Sequence, residues 1–254
     1  MAGALAVRNG DARVPVLAIL ERFGRYKPME PESVRKVEVA QNPVLEELKK
    51  AWVDYCHLPT GGDVMWNIPA PYISALSLVK KLSYSAKDVE QFSIALGESQ
   101  DIKYFGSRAG IFLNALINNG KDTDYVIQTR QLSVPIHYFG DGNTKNITVE
   151  GDLGAYAGTN MKCGSILVRG NAGMEVGRYM SGGTITVEGH ASNMPGRMMR
   201  GGVLIIKGDA GDKVGLGMSG DATIHLGGEA GSIVRPKDSA RIFQRGKLVH
   251  GKRF

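Results

Sequence analysis

Apolar and polar positions follow one rhythm in the first half of the chain and another in the second. In PVLEELKKAWVDYC, Val44, Leu45, Leu48, Trp52 and Tyr55 share one side of a helix, with Glu46, Glu47, Lys49 and Lys50 opposite. PYISALSLVKKL repeats the pattern through Ile73, Leu76, Val79 and Leu82. AKDVEQFSIALGE opens a third helix at Ala86, with Ser85 as its cap and Gly97 as its stop. SRAGIFLNALINNG, closing on Asn118-Asn119-Gly120, is a fourth. Short strands are expected over 125–128 and 134–138. Residues 1–140 thus read as a small, mostly helical α+β domain.

Beyond this point a short strand pattern returns at a fixed interval. ITVEG from Ile147, ILVRG from Ile166, ITVEG from Ile185 and LIIKG from Leu204 alternate apolar and polar residues. The pairs Ile147/Val149, Ile166/Val168, Ile185/Val187 and Leu204/Ile206 point one way, with their neighbours opposite. Gly151, Gly170, Gly189, Gly208 and Gly227 stand at equal spacing along the chain. Gly158, Gly177, Gly196 and Gly215 form a second column, and Met161, Met180, Met199 and Met218 a third. A fourth, Gly164, Gly183 and Gly202, breaks at Asp221. Four columns on one period are a structural repeat.

One such unit cannot bury its apolar side alone. Stacked units can, each strand bonding to its equivalent one coil away at about 4.8 Å. Glycines at the corners supply the backbone freedom to turn. The polar residue after the first glycine column (Asp152, Asn171, His190, Asp209) also suits a corner. The methionines are expected to stack inside the coil, where an unbranched thioether fills irregular space. Residues 141–234 are therefore read as a β-solenoid with a 19-residue repeat. Near its end Ile224 and Leu226 take the inward phase, a one-residue slip that marks a capping coil. The period is no multiple of six, which excludes hexapeptide helices, and the GGxGxD nonapeptides of calcium-binding repeats are absent.

The unit from Gly170-Asn171-Ala172-Gly173 through Gly189 resembles the GXGXG family. That family comprises the C-terminal β-helix domain of the glutamate synthase large subunit, stand-alone counterparts, and the β-helix subunit of formylmethanofuran dehydrogenase. The resemblance covers 147 to about 231 and implies a right-handed β-helix without catalytic residues, packed among the subunits or domains of an enzyme complex. Arg108-Ala109-Gly110, Leu113, Ile117 and Asp124-Tyr125-Val126-Ile127 loosely resemble the segment preceding the glutamate synthase β-helix. The regular methionine column is closer to the formylmethanofuran enzyme, which uses molybdenum or tungsten in other subunits.

Charge and composition narrow the rest. Two cysteines, Cys56 and Cys163, supply neither a disulfide framework nor a four-cysteine metal site. Neither an apolar run long enough to span a bilayer nor a convincing signal peptide at 1–15 is read, so a cytoplasmic protein is expected. Residues 235–254 carry seven basic groups against Asp238, an excess equal to the net +6 of the whole chain. This basic C-terminal tail makes Arg235, Lys237, Arg241, Arg245 and Lys247 candidates to bind a partner. Ile242, Phe243, Leu248, Val249 and Phe254 interrupt the charges as buried residues would, and only Phe243 and Phe254 offer the stacking a nucleic-acid partner wants.

Candidate chemistry is sparse. Cys56 and His57 are neighbours in sequence and do not face each other on a helix. His57, His137, His190, His225 and His250 lie far apart, without paired metal spacing. Gly61-Gly62-Asp63 is a turn, since no G-K-[ST] follows. The expectation is a scaffold component of a multi-subunit enzyme, with no catalytic residue, metal or cofactor of its own, and a homo-oligomer is also allowed. The reading of another class is an independent enzyme with a pocket near 100–140, served by His137 and Arg130. A third is nucleic-acid binding by the basic tail.

Overall fold

Asn42 opens the first helix by turning its side-chain oxygen onto the backbone N–H groups of Val44 and Leu45, at 3.1 and 3.3 Å. The structure, a computed structural model, describes residues 42–58 and 69–251. The readings made on 1–15, on Gly61-Gly62-Asp63 and on Lys252, Arg253 and Phe254 lie outside the described residues. Helix α1 spans Pro43–His57, α2 Pro69–Val79, α3 Ala86–Ala95 and α4 Phe105–Asn119, with a 3-10 turn at Leu96–Ser99. Ser85 caps α3 through a reciprocal pair with Asp88. The aromatic rings of Trp52, Phe92, Phe105 and Phe112 close the helical core, with centroids 5.5–6.4 Å from Trp52.

Three details differ from the sequence reading. Gly97 lies inside the 3-10 turn rather than ending the helix. Ile73 is 63% exposed, because α2 buries the four-residue spacing Ala75–Val79 instead. Residues 134–138 form no strand: Tyr138 has a φ of +58°, and the segment bonds to α4.

The strands form one sheet in chain order: β1 Asp124–Gln128, β2 Asn146–Glu150, β3 Ser165–Val168, β4 Ser181–Val187, β5 Gly201–Ile206, β6 Thr223–Leu226, β7 Arg241–Gln244 and β8 Lys247–His250. The first seven pair in parallel, and β8 folds back antiparallel on β7. The chain is thus a helical part followed by a β-solenoid with a 19-residue repeat, Asn146 pairing with Ser165 and Ser165 with Thr184. Its sheet extends past the 141–234 of the repeat at both ends, to β1 and to β7. The one-residue slip is present: Leu204 pairs with Ile224, not Thr223.

Inside each coil the alternation holds. Ile147, Val149, Ile166, Val168, Ile185, Val187, Leu204 and Ile206 are all buried, as are the methionines of the third column. The methyl of Met161 lies against Gly183 and that of Met180 against Gly202, so no Cβ fits at those glycines. A second wall has one bridge per coil, Leu153–Ala172–Ala191–Ala210–Ala230. The closing turn places alternate residues at positive φ, as in Glu175, Gly177 and Tyr179 at +57°, +72° and +54°. Each non-glycine there costs about 1–2 kcal/mol. The turns hold because they bond coil to coil, Gly177 N–H donating to Ala157 at 2.8 Å and Tyr179 N–H to Arg197 at 3.0 Å.

The first end of the stack is covered by helices. At the first coil, Gly106 and Gly110 bring α4 against the carbonyls of Pro135 and His137. The buried Asn114 then takes the place of a missing coil: its Nδ2 donates to the Tyr138 carbonyl at 2.8 Å, and its Oδ1 accepts from Gly140 N–H at 2.6 Å. Ser93 accepts from Gln128 N–H on the edge of β1 at 2.9 Å. At the far end the β7–β8 hairpin is the last of the sheet, with Lys247 and Val249 exposed.

Candidate functional site

The corner column that follows the first glycines builds a ladder of side chain to backbone bonds. Asp152 Oδ1 accepts from Asn171 N–H at 2.7 Å, and Asn171 Oδ1 from His190 N–H at 2.9 Å. His190 Nδ1 accepts from Asp209 N–H at 3.0 Å, and Asp209 Oδ1 from Glu229 N–H at 2.8 Å. Each polar residue satisfies the same corner one coil on, which is why short acceptors recur there. These groups serve the stack.

Near the first coil, Thr129, Arg130, Ser133, Ile136, Asp152 and Arg169 border an open depression of about 400 Å3. Arg130 and Arg169 both reach Glu150, at 2.9 and 3.4 Å. The sequence reading set Arg130 beside His137, and the structure does not bring them together in this depression. The His137 ring is wedged against Gly106 and Gly154, with Nδ1 accepting from Ala155 N–H at 2.9 Å. Burial lowers its pKa and keeps it neutral. It fastens the coil to α4, where it lies half-buried.

A second cluster escaped the sequence reading. The rings of Tyr138 and Tyr156 stack with centroids 4.8 Å apart, and the Arg178 guanidinium lies 5.7 Å from Tyr156 and 4.7 Å from Tyr179. Beneath them the buried Glu175 carboxylate takes Arg178 at 3.2 Å and Arg197 at 2.8 Å. Arg178 donates to Tyr179 Oη at 3.3 Å, and that bond draws the phenol below its usual range. Burial, with Tyr156 adding, pushes Tyr138 the other way. The cluster offers π faces and cations, with the Glu175 carboxylate already neutralised. Its signal was present, since Arg178 and Arg197 stand one repeat apart, but in positions where the repeat changes residue type from coil to coil.

The remaining candidates are dispersed. His57 Nδ1 is 2.8 Å from the Val53 carbonyl, within its own helix. His225 stacks on Phe243 at 4.8 Å. Of the basic candidates, Arg241 opens β7, Arg245 follows its end and Lys247 starts β8, while Arg235 and Lys237 precede them, exposed, on an irregular stretch. Arg245 pairs with Glu229. This segment is therefore the end of the sheet, since Ile242 is fully buried and anchors it as a last rung. Among the described residues no three His, Cys, Asp or Glu side chains converge as a metal site would require, and no helix is long and apolar enough to cross a membrane. In comparisons with known proteins, no family model matches the chain, and no curated protein matches it either.

Proposed function

We propose that the chain is a non-catalytic scaffold component of a multi-subunit enzyme, of the glutamate synthase type to which its repeat is similar. The observation that supports this reading is the interlock of the columns. Glycine, methionine and aliphatic positions fill one another's space from coil to coil, and the corner acceptors are spent on backbone N–H groups. Such a body is stiff, is capped by helices at its first end, and offers its flanks to neighbours. In this reading the chain binds no cofactor of its own, works in the cytoplasm, and leaves the chemistry to the subunits it holds. The buried methionine column speaks for the other branch, a component like the β-helix subunit of formylmethanofuran dehydrogenase. Native mass spectrometry of the protein purified from its source at low salt tests both. Stoichiometric amidotransferase and synthase chains support the first branch, and molybdenum or tungsten subunits support the second. A chain that purifies without other subunits overturns the proposal.

A further inference from the structure

The residues that follow the last inward positions of β2 to β5 alternate in charge at every coil: Glu150, Arg169, Glu188, Lys207. All four point outward, because the preceding Val149, Val168, Val187 and Ile206 are buried inside the coil. Three pairs close within the chain, Arg130–Glu150 at 2.9 Å, Glu150–Arg169 at 3.4 Å and Glu188–Lys207 at 2.8 Å, and Glu150 is left 19% exposed. Even so, the side chains of Arg169, Glu188 and Lys207 remain 50%, 40% and 55% exposed. Beside them on the same face runs an uncharged, half-buried row of Thr148, Leu167, Thr186 and Ile205. Over β1 to β3 this face opens into a shallow depression floored by Val126, Thr148 and Leu167.

We propose that this sheet face binds a second copy of the same chain, about a two-fold axis that lies in the face, parallel to the strands, between β3 and β4. A closed pair must be self-complementary, with each residue facing its counterpart across the axis. The charge order minus, plus, minus, plus reads plus, minus, plus, minus when reversed. A copy turned about that axis therefore sets Glu150 opposite Lys207 and Arg169 opposite Glu188, so the four residues of the row meet opposite charges, with Arg130 beside Glu150 at the outer end. The same operation sets Thr148 opposite Ile205 and Leu167 opposite Thr186, so short polar and larger apolar residues alternate across the gap. A two-fold axis along the stack would instead place the charged column over Asn146, Ser165, Thr184 and Val203, and leave it unpaired. Facing sheets stand about 10 Å apart, a gap that arginine, lysine and glutamate together can span. The uncharged row supplies most of the burial, and the charges fix register and direction. With so few rungs the face is small, so the dimer is weak. It forms whether or not other subunits join, and so does not depend on the scaffold reading.

The test is sedimentation equilibrium of the full chain at low salt. The wild type is expected to dimerise, and to do so at least tenfold more weakly when the salt is raised. The double variants Glu150→Lys/Arg169→Glu and Glu188→Lys/Lys207→Glu each oppose like charges across the axis and are expected to be monomeric alone. Mixed in equal amounts they are complementary again, and dimerisation returns. Thr186→Lys, beside the axis on an outward position, removes the dimer without touching the interior, which covers the case where a double variant fails to fold. A monomeric wild type, half-reversed variants that dimerise as the wild type does, or a mixture that stays monomeric would each overturn the proposal.

Discussion

The Cδ1 methyl of Ile185 fills the space above Gly158 one coil earlier, where a side chain would otherwise stand. The relation repeats up the stack, Ile224 over Gly196 and Ile242 over Gly215. Gly158 also has a φ of +68°. Gly158→Ala therefore meets two penalties, about 1–2 kcal/mol for the left-handed backbone and about 1–3 kcal/mol for overpacking. Together they predict a loss of about 3 kcal/mol in urea unfolding. Gly142, also at positive φ but with nothing near a built Cβ, carries the backbone penalty alone and should lose about 1 kcal/mol as alanine.

Lys213 gives the converse. It is an exposed lysine with a φ of +59°, in the same column as Tyr156, Glu175 and Met194. Lys213→Gly keeps the N–H that donates to Ser232 Oγ at 2.9 Å and relieves the strain. Part of that gain is offset by the greater freedom of glycine in the unfolded chain. A net stabilisation of about 0.5 kcal/mol is expected, read as a higher urea midpoint at unchanged slope.

Asn114 is the hinge of the helical cap, since its one side chain bonds both Tyr138 and Gly140 across the end of the stack. Asn114→Ala strands a buried carbonyl and a buried N–H, each worth about 1–3 kcal/mol. The loss should come to about 3 kcal/mol or more. Amide exchange should show Gly140 freed before the N–H of Gly177, which bonds within the stack.

The middle coils were legible in the sequence because the inside of a solenoid accepts one residue type at each position and stacking repeats it at a constant offset. The ends were not. The first coil departs from the period, with Gln128 paired to Glu150 and Tyr138 stacked on Tyr156, because it faces a helix on one side. The last rung pairs Thr223 with Arg241, just short of the full repeat, and its basic residues resemble a tail. The alanine wall was present in the sequence, but alanine carries too weak a signal on its own to mark a strand. Of the candidate pair, Arg130 borders the depression by the first coil while His137 packs against Gly106 and Gly154, since nearness in sequence says nothing of facing once the chain turns through Pro135 and Tyr138. The Tyr138–Tyr156–Arg178 cluster was hidden because it lies where one coil differs from the next.

His137 makes stability depend on pH. Its Nδ1 accepts a backbone N–H, so the ring is neutral in the fold, and burial holds its pKa below the usual 6.5. The unfolded chain takes up the proton first, so the contribution is present above about 6.5 and is lost as pH falls toward the depressed native value. His225 adds the same sign, through burial first and the nearby Arg241 second. Thermal melts should therefore fall between pH 8 and pH 5. His137→Asn keeps an acceptor and cannot titrate, so its melts should fall less over that range. An unchanged slope would place the acid sensitivity elsewhere.

The two cysteines should separate kinetically. Cys163 is exposed, whereas burial pushes the Cys56 thiol up to about 11, with Arg108 pulling the other way. At neutral pH a group of that pKa is almost wholly protonated and the thiolate is the nucleophile, so a thiol reagent should take one equivalent fast and the second at least 100-fold more slowly. Cys163→Ser should remove the fast phase. Arg108 reports on the slow one. Its guanidinium donates to the Cys56 carbonyl at 2.9 Å and to that of Tyr55 at 3.3 Å, tying the end of α1 to α4. Arg108→Met unties that end, and opening of α1 should then speed the labelling of Cys56 while leaving Cys163 unchanged. Unchanged labelling of Cys56 would remove Arg108 as the local anchor.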